Sequence, residues 1–217
     1  MTTRTAEEAK TNYVEKMGEA LGTQFTALWL EVDFLSATWG EYVELFTEPK
    51  QVEALNQTAP ALFHIIRHAL WEQMLLHIAR LTDPPTSGKS KENLTILNLP
   101  GLVEDLGKKA KLDELVSTAK SKTEFCRDWR NRHIAHRDLD LLMNGSAEPL
   151  KTASGVQVRE GLDAIEGVLN EVHLHYMGGS LIFSRNVGGA GNALSLLRLL
   201  HDGLRARAGK APGEYPF

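Results

Sequence analysis

VEKMGEALGTQFTALWLEVDFLSATWGEYVELF, residues 14–46, decides the fold class. Its large apolar residues, Val14, Met17, Leu21, Phe25, Leu28, Val32, Leu35, Trp39, Tyr42 and Phe46, advance by threes and fours. That period places all of them on one face of a helix. A continuous helix from about Glu7 to Phe46 would run on the order of 60 Å at about 1.5 Å per residue, long for a chain of this size. A change of direction is therefore expected. Gly18, Gly22 and Gly40 weaken the helix locally, and Ser36–Gly40 is the expected bend.

Outward from this stripe the pattern stays helical. Glu48-Pro49 closes the first segment, because proline disfavours helical geometry at the residue before it and suits the first turn of a new helix. A short helix from Lys50 to about Asn56 comes next. Thr58 is placed to cap the following helix, with Pro60 in its first turn and Leu62, Ile65, Ile66, Ala69, Leu70, Met74 and Ile78 as its buried face. After Thr82-Asp83-Pro84-Pro85, residues 84–108 read as a variable helical insertion. A further helix begins near Leu112 and runs through Leu115, Val116, Ala119, Cys126 and Trp129 to about His136.

A turn-rich stretch from Met143 to Gly155 precedes another stripe, Val158, Leu162, Ile165, Leu169, Val172 and Tyr176. Glycines between Ser184 and Asn192 loosen the chain before a last helix through Leu196, Leu197, Leu200 and Leu204. No convincing strand alternation or internal repeat is visible. The reading is all-α, an up-and-down helical bundle with a long N-terminal helical segment and an additional C-terminal helix. One domain is expected over 1–209, with 210–217 a mobile tail. The last helix either packs on the bundle or exchanges between subunits.

Composition narrows the function classes. A chain of 217 residues, 42% hydrophobic and 24% charged, has the make-up of a folded globular protein rather than a disordered one. Its net charge of -4 offers nucleic acid no global attraction. A local basic stretch does exist: Lys120, Lys122, Arg127, Arg130, Arg132 and Arg137 stand against only Glu124 and Asp128. Favourable cations near a helix C-terminus would explain this without any ligand. Cys126 is the single cysteine, which excludes an intramolecular disulfide and fits a reducing compartment. With neither a signal-like N-terminus nor a spanning apolar run, a cytoplasmic protein with no membrane partner is expected.

The chemistry concentrates in Arg130-Asn131-Arg132-His133-Ile134-Ala135-His136. An arginine, a polar residue directly after it, and a histidine following five intervening residues resemble the signature of the HEPN superfamily. The longer wording from Arg130 to Asp138 resembles its AbiU-like branch, associated with bacterial abortive infection. The resemblance implies the helical fold reached above, a homodimer whose motif helices approach antiparallel, and a shared cleft. It also implies, for part of the family, metal-independent endoribonuclease activity without a cofactor.

Arg130 and His136 suit that reaction. RNA carries its own nucleophile in the ribose 2′-hydroxyl, so cleavage needs a proton acceptor and a cation on the phosphate. A histidine with a reference pKa of about 6.5 serves the first need and an always-charged arginine the second. In an ideal helix the two are about 120° apart, so convergence requires a distorted helix end or a second subunit. Asn131, Arg132 and His133 are auxiliary or substrate-binding candidates; His133 lies three positions from Arg130, and Arg132 four from His136. Asp138 is read as a turn residue. It stands where some HEPN toxins carry a tyrosine modified by a partner nucleotidyltransferase, so that form of control is in doubt, while another antitoxin or neighbouring defence protein remains an expected partner.

Two other classes stand beside the ribonuclease. A non-catalytic HEPN-like binding or scaffold protein would use the same bundle without cleaving RNA. A metal-binding bundle would draw on His64, His68 and Glu72, which recur every four residues, with His77 following, but no metal site is assigned. His173 and His175, two apart, point to different faces. Trp29, Trp39, Trp71 and Trp129 are read as packing residues rather than a base-stacking platform. Gly188-Gly189-Ala190-Gly191 lacks the spacing of a phosphate-binding loop.

Overall fold

The computed structural model describes residues 6–88, 91–135, 143, 148–183 and 191–209. Among these, helix dominates: α1 Ala6–Met17, α2 Glu19–Phe46, α3 Pro49–Thr58, α4 Pro60–Leu81, α5 Leu99–Leu102, α6 Leu106–Lys122, α7 Glu124–Trp129, α8 Gly155–Met177 and α9 Ala193–Arg207. A 3-10 turn covers Ile96–Asn98 and a π-helical turn Arg130–Ile134. The fold is the expected all-α, HEPN-like bundle, with one minimal exception. Thr86–Ser87 and Lys91–Glu92 pair antiparallel in register Thr86↔Glu92 and Ser87↔Lys91.

The expected change of direction in the long stripe occurs at Gly18, not at Ser36–Gly40. Gly18 adopts φ +82°, which suits glycine alone at little cost, and its N–H still bonds the Val14 carbonyl at 2.9 Å. One turn on, a Cβ built at Gly22 would come within 2.6 Å of the Val14 Cα. The two helices therefore meet backbone to backbone at a position only glycine fills. From Glu19 to Phe46 the helix is unbroken, and Gly40 lies inside it.

The chain divides into two compact units, Met1–Val32 with Leu75–Phe183, and Asp33–Met74 with Ser184–Phe217. In the first, α6 packs along α8 and α1 also rests on α8. Leu21, Phe25, Leu28 and Val32 of α2, Leu75 and Ile78 of α4, and Leu112 and Ala119 of α6 are buried there. So are Val158, Leu162, Ile165, Leu169 and Val172 of α8. Each of the large side chains among them stabilises the fold by roughly 1.5–3 kcal/mol relative to exposure. Ser154 and Gln157 close a reciprocal capping box at the start of α8, fixing where it begins.

In the second unit, Leu35, Trp39, Tyr42 and Phe46 continue the α2 stripe, and α9 packs on α3. Asn192 caps α9 through Ser195 N at 3.0 Å, and Glu41 Oε2 accepts from the Ala193 N–H at 2.5 Å. Carboxylate at a helix N-terminus complements the dipole. The last helix thus packs within the chain on α3.

Several boundaries and faces differ from expectation, each for an identifiable reason. Thr58 does not cap α4; it ends α3, donating its hydroxyl to the Ala54 carbonyl at 2.8 Å. On the first half of α4 Phe63 is the buried residue, while Leu62 and Ile65 are exposed. Farther along, Met74 and Ile78 are buried as expected, so the departure is confined to the first half, where Phe63 takes the inward position. Along α9 only Ala193 and Leu197 are buried, and Leu196 and Leu199 are exposed. The 84–108 segment is mostly not helix, and α6 starts at Leu106, earlier than Leu112, because Asp105 accepts from Lys108 N at 3.0 Å and caps it. Gly188–Ala190 and the 210–217 tail lie outside the described residues.

Candidate functional site

The helix expected to run from Leu112 to His136 is three pieces: α6, α7 and the π-turn. The first interruption is Thr123, at φ −105°, ψ 5°. Its side chain is fully buried and its hydroxyl donates to the Ala119 carbonyl at 2.8 Å, competing with regular helical bonding. That hydroxyl also stands 3.1 Å from the hydroxyl of Thr82, at the end of α4. A polar pivot thus joins the start of the motif segment to the C-terminus of α4.

The carbonyls at that C-terminus are satisfied by side chains arriving from elsewhere. Thr95 Oγ1 donates to Leu81 O at 2.9 Å, and Arg127 Nη2 to Thr82 O at 2.6 Å. Cations and hydroxyls at a helix C-terminus both relieve orphan carbonyls and complement the dipole. Asn93 then pins the Pro84-Pro85 turn, its N–H to Pro85 O at 2.8 Å and Nδ2 to Pro84 O at 2.7 Å. The turn leaves Asp83 facing α7.

Asp83 Oδ2 accepts a close, charged hydrogen bond from Arg130 Nη1. Arg127 Nε stands 3.7 Å from Asp83 Oδ1, an ion pair too long for a hydrogen bond, and both atoms lack a hydrogen-bond partner among the described residues. Arg130 Nε donates to Asn131 Oδ1 at 3.0 Å. The expected arginine is therefore held at two of its three nitrogens. Asn131 itself is exposed.

Arg130 opens the π-turn, in which Ala135 N–H bonds the Arg130 carbonyl at 2.8 Å across five residues. Such widened turns concentrate at functional sites. His136, with Arg137 and Asp138, lies outside the described residues. Arg132 is committed elsewhere: Nη1 pairs with Asp128 Oδ1 at 3.5 Å, and Nη2 donates to Glu148 O at 2.5 Å. Asp128 Oδ2 accepts from Lys151 N at 2.8 Å, and Trp129 Nε1 donates to Lys151 O at 2.7 Å. Arg132, Asp128 and Trp129 together tie residues 148–151 to the motif. His133 sits edge-on to Trp129, ring centroids 5.3 Å apart.

Most of the described cations of the basic stretch have acidic partners. Lys122 meets Glu160 at 3.2 Å, Arg127 and Arg130 share Asp83, and Arg132 has Asp128. Asp83 was the partner that sequence reasoning missed. Its signal was faint, an aspartate before two prolines that read as a turn. Cys126 is fully buried beside these residues, and burial pushes its thiol far above the usual range, so it is no nucleophile.

The metal alternative finds no support in side-chain placement. His77 is buried against Glu31, Nε2 to Oε2 2.6 Å, and burial holds its pKa below the usual histidine value despite the carboxylate. His64 and His68 lie edge to face at 5.1 Å in the second unit. Among the described residues no group of three or more His, Cys, Asp or Glu is arranged to hold a metal ion. His173 packs against Tyr13 and Phe25, with Nδ1 2.6 Å from Gly179 O, while His175 is exposed. A cavity of about 100 Å³ in the second unit is lined by Phe46, Val52, Leu55, Asn56, Phe63, His64 and Arg67, and holds no motif residue. Among the described residues no helix is long and apolar enough to cross a membrane.

No curated protein and no solved structure matches the chain. A family model described as AbiU2, of the HEPN superfamily, does match, over residues 18–187. That span carries the α2 stripe, the Asp83 turn, α6, α7, the π-turn and α8, and excludes α9. By this match the chain belongs to the abortive-infection-related AbiU2 family of HEPN domains.

Proposed function

We propose that the protein is a metal-independent endoribonuclease of a bacterial abortive-infection or toxin–antitoxin defence system. Arg130 binds the scissile phosphate, and His136 takes the proton of the ribose 2′-hydroxyl. The attacking 2′-oxygen forms a bond to phosphorus and the 5′-oxygen leaves, accepting a proton. The products are a 2′,3′-cyclic phosphate and a 5′-hydroxyl. The site is a cleft between the motif segments of two identical subunits.

The observation that carries this reading is the state of Arg130. Its guanidinium is anchored through Nη1 and Nε at the head of a widened turn. Of its five N–H groups, both on Nη2 and one on Nη1 have no partner among the described residues. Those N–H groups can donate charge-assisted hydrogen bonds to phosphate oxygens. Family membership and the position of His136 in the motif support assigning it as the second group.

The test is cleavage of a structured RNA pool in excess EDTA, with product ends identified by mass spectrometry. Cyclic-phosphate ends are expected from the wild type. Mixing Arg130→Ala with His136→Ala subunits restores part of the activity if the cleft is shared between subunits. A monomer in sedimentation at working concentration would remove the shared cleft. Failure of any purified dimer to cleave, alone or with its neighbouring gene product, would leave the scaffold reading in its place.

A further inference from the structure

We infer that Asp83 is a positioning residue for the phosphate-binding arginine: it aims the Arg130 guanidinium, and Arg127 holds Asp83 in turn. The inference rests on the ribonuclease reading of Arg130 and adds to it a residue 47 positions away in sequence, outside the motif.

Three features separate this contact from an incidental surface ion pair. The side chains of Asp83, Arg127 and Arg130 are 17%, 23% and 22% exposed, so the triad is largely withdrawn from the solvent that screens surface pairs. The carboxylate stands on a fixed base. Its own N–H bonds Arg80 O at 3.3 Å, the preceding Thr82 carbonyl takes Arg127 Nη2, and the following proline restricts its backbone. Finally, the bonds are distributed so as to orient. Asp83 takes Nη1, Asn131 takes Nε, and Nη2 is left without a hydrogen-bond partner among the described residues.

A carboxylate in that place also lowers the net charge that a phosphate meets. Two arginines against one aspartate leave +1, so Asp83 reduces raw attraction while fixing direction. This opposition makes the proposal testable. A residue that merely occupied the phosphate site would raise RNA affinity and cleavage on removal. A residue that aims the guanidinium lowers kcat and leaves KM nearly unchanged when removed, since alignment matters most in the transition state.

The experiment compares wild type, Asp83→Asn and Asp83→Glu in RNA cleavage, with thermal unfolding of each. Arg130 Nε–H is followed by NMR and assigned by its absence in Arg130→Lys. Expected for Asp83→Asn is a fall in kcat on the order of 10²-fold, KM within a few-fold, and a mobile Arg130 Nε–H; Asp83→Glu, which keeps the charge, recovers part of kcat. Unchanged or faster cleavage by Asp83→Asn overturns the proposal. So does a loss that only follows the fraction unfolded, with Asp83→Glu no better. If the wild type does not cleave RNA, the ribonuclease reading fails by itself and the NMR arm decides Asp83. An Arg130 side chain restrained in wild type and released in Asp83→Asn supports positioning, and one already mobile in wild type overturns it.

Discussion

The break at Gly18 and the break at Thr123 make an instructive pair. Both interrupt a helix whose apolar period carries straight through. At Gly18 the interruption is backbone sterics: a positive φ, with a contact one turn later that leaves no room for a Cβ at Gly22. At Thr123 it is side-chain polarity, and the segment after it is shaped by ties to Thr82, Asp83 and residues 148–151. The first region is built to be rigid and apolar. The second places charged groups in defined directions, as a site for a charged substrate requires.

The largest effect should come from the first region. Gly22→Ala forces two helix backbones apart and should cost about 3 kcal/mol, at the upper end of overpacking penalties, read as a lowered urea midpoint. A near-neutral result would mean the α1–α2 approach is not tight. Next, Asp128→Ala removes the acceptor for Lys151 N and the partner of Arg132. A loss of about 1–3 kcal/mol is expected, together with faster amide exchange at Lys151. Unchanged exchange there would show that this tie does not hold the segment.

A pH dependence sharpens the contrast within the rigid region. Burial lowers the pKa of His77, so below about pH 6.5 the unfolded chain binds more protons than the folded protein. Stability should therefore be full above that value and fall as pH drops through it. In His77→Gln the fall between about pH 7.5 and 5.5 should be shallower; an equal slope would assign it to other groups. Least of all, Leu199→Ser at an exposed position of α9 should change stability within about 0.5 kcal/mol.

The same two regions explain what was legible in the sequence. Threes and fours of apolar residues record burial along a helix, so α2 and α8 and the helical class could be read directly. A period does not fix which of two adjacent apolar residues faces inward, and Phe63 displaced the expected Leu62 and Ile65. Nor does it register a single backbone angle, so the apolar period alone does not distinguish a bend at Gly18 from one at Ser36–Gly40. The motif residues could be named because their types and spacing are local. Asp83 could not, because its pairing with Arg130 depends on where α4 ends and how the two prolines turn the chain. The tie of Arg132 to Glu148 is likewise a long-range product of folding.

Metal-free RNA cleavage by Arg130 and His136 together is the reading on which the rest depends. It is tested by the rate at which a labelled RNA is cleaved in excess EDTA by wild type, Arg130→Ala and His136→Ala, each verified as folded and of the same oligomeric state. Expected is cleavage by the wild type, with each substitution lowering the rate by a factor on the order of 10² or more. Equal rates for all three proteins, or cleavage that EDTA abolishes, would overturn it.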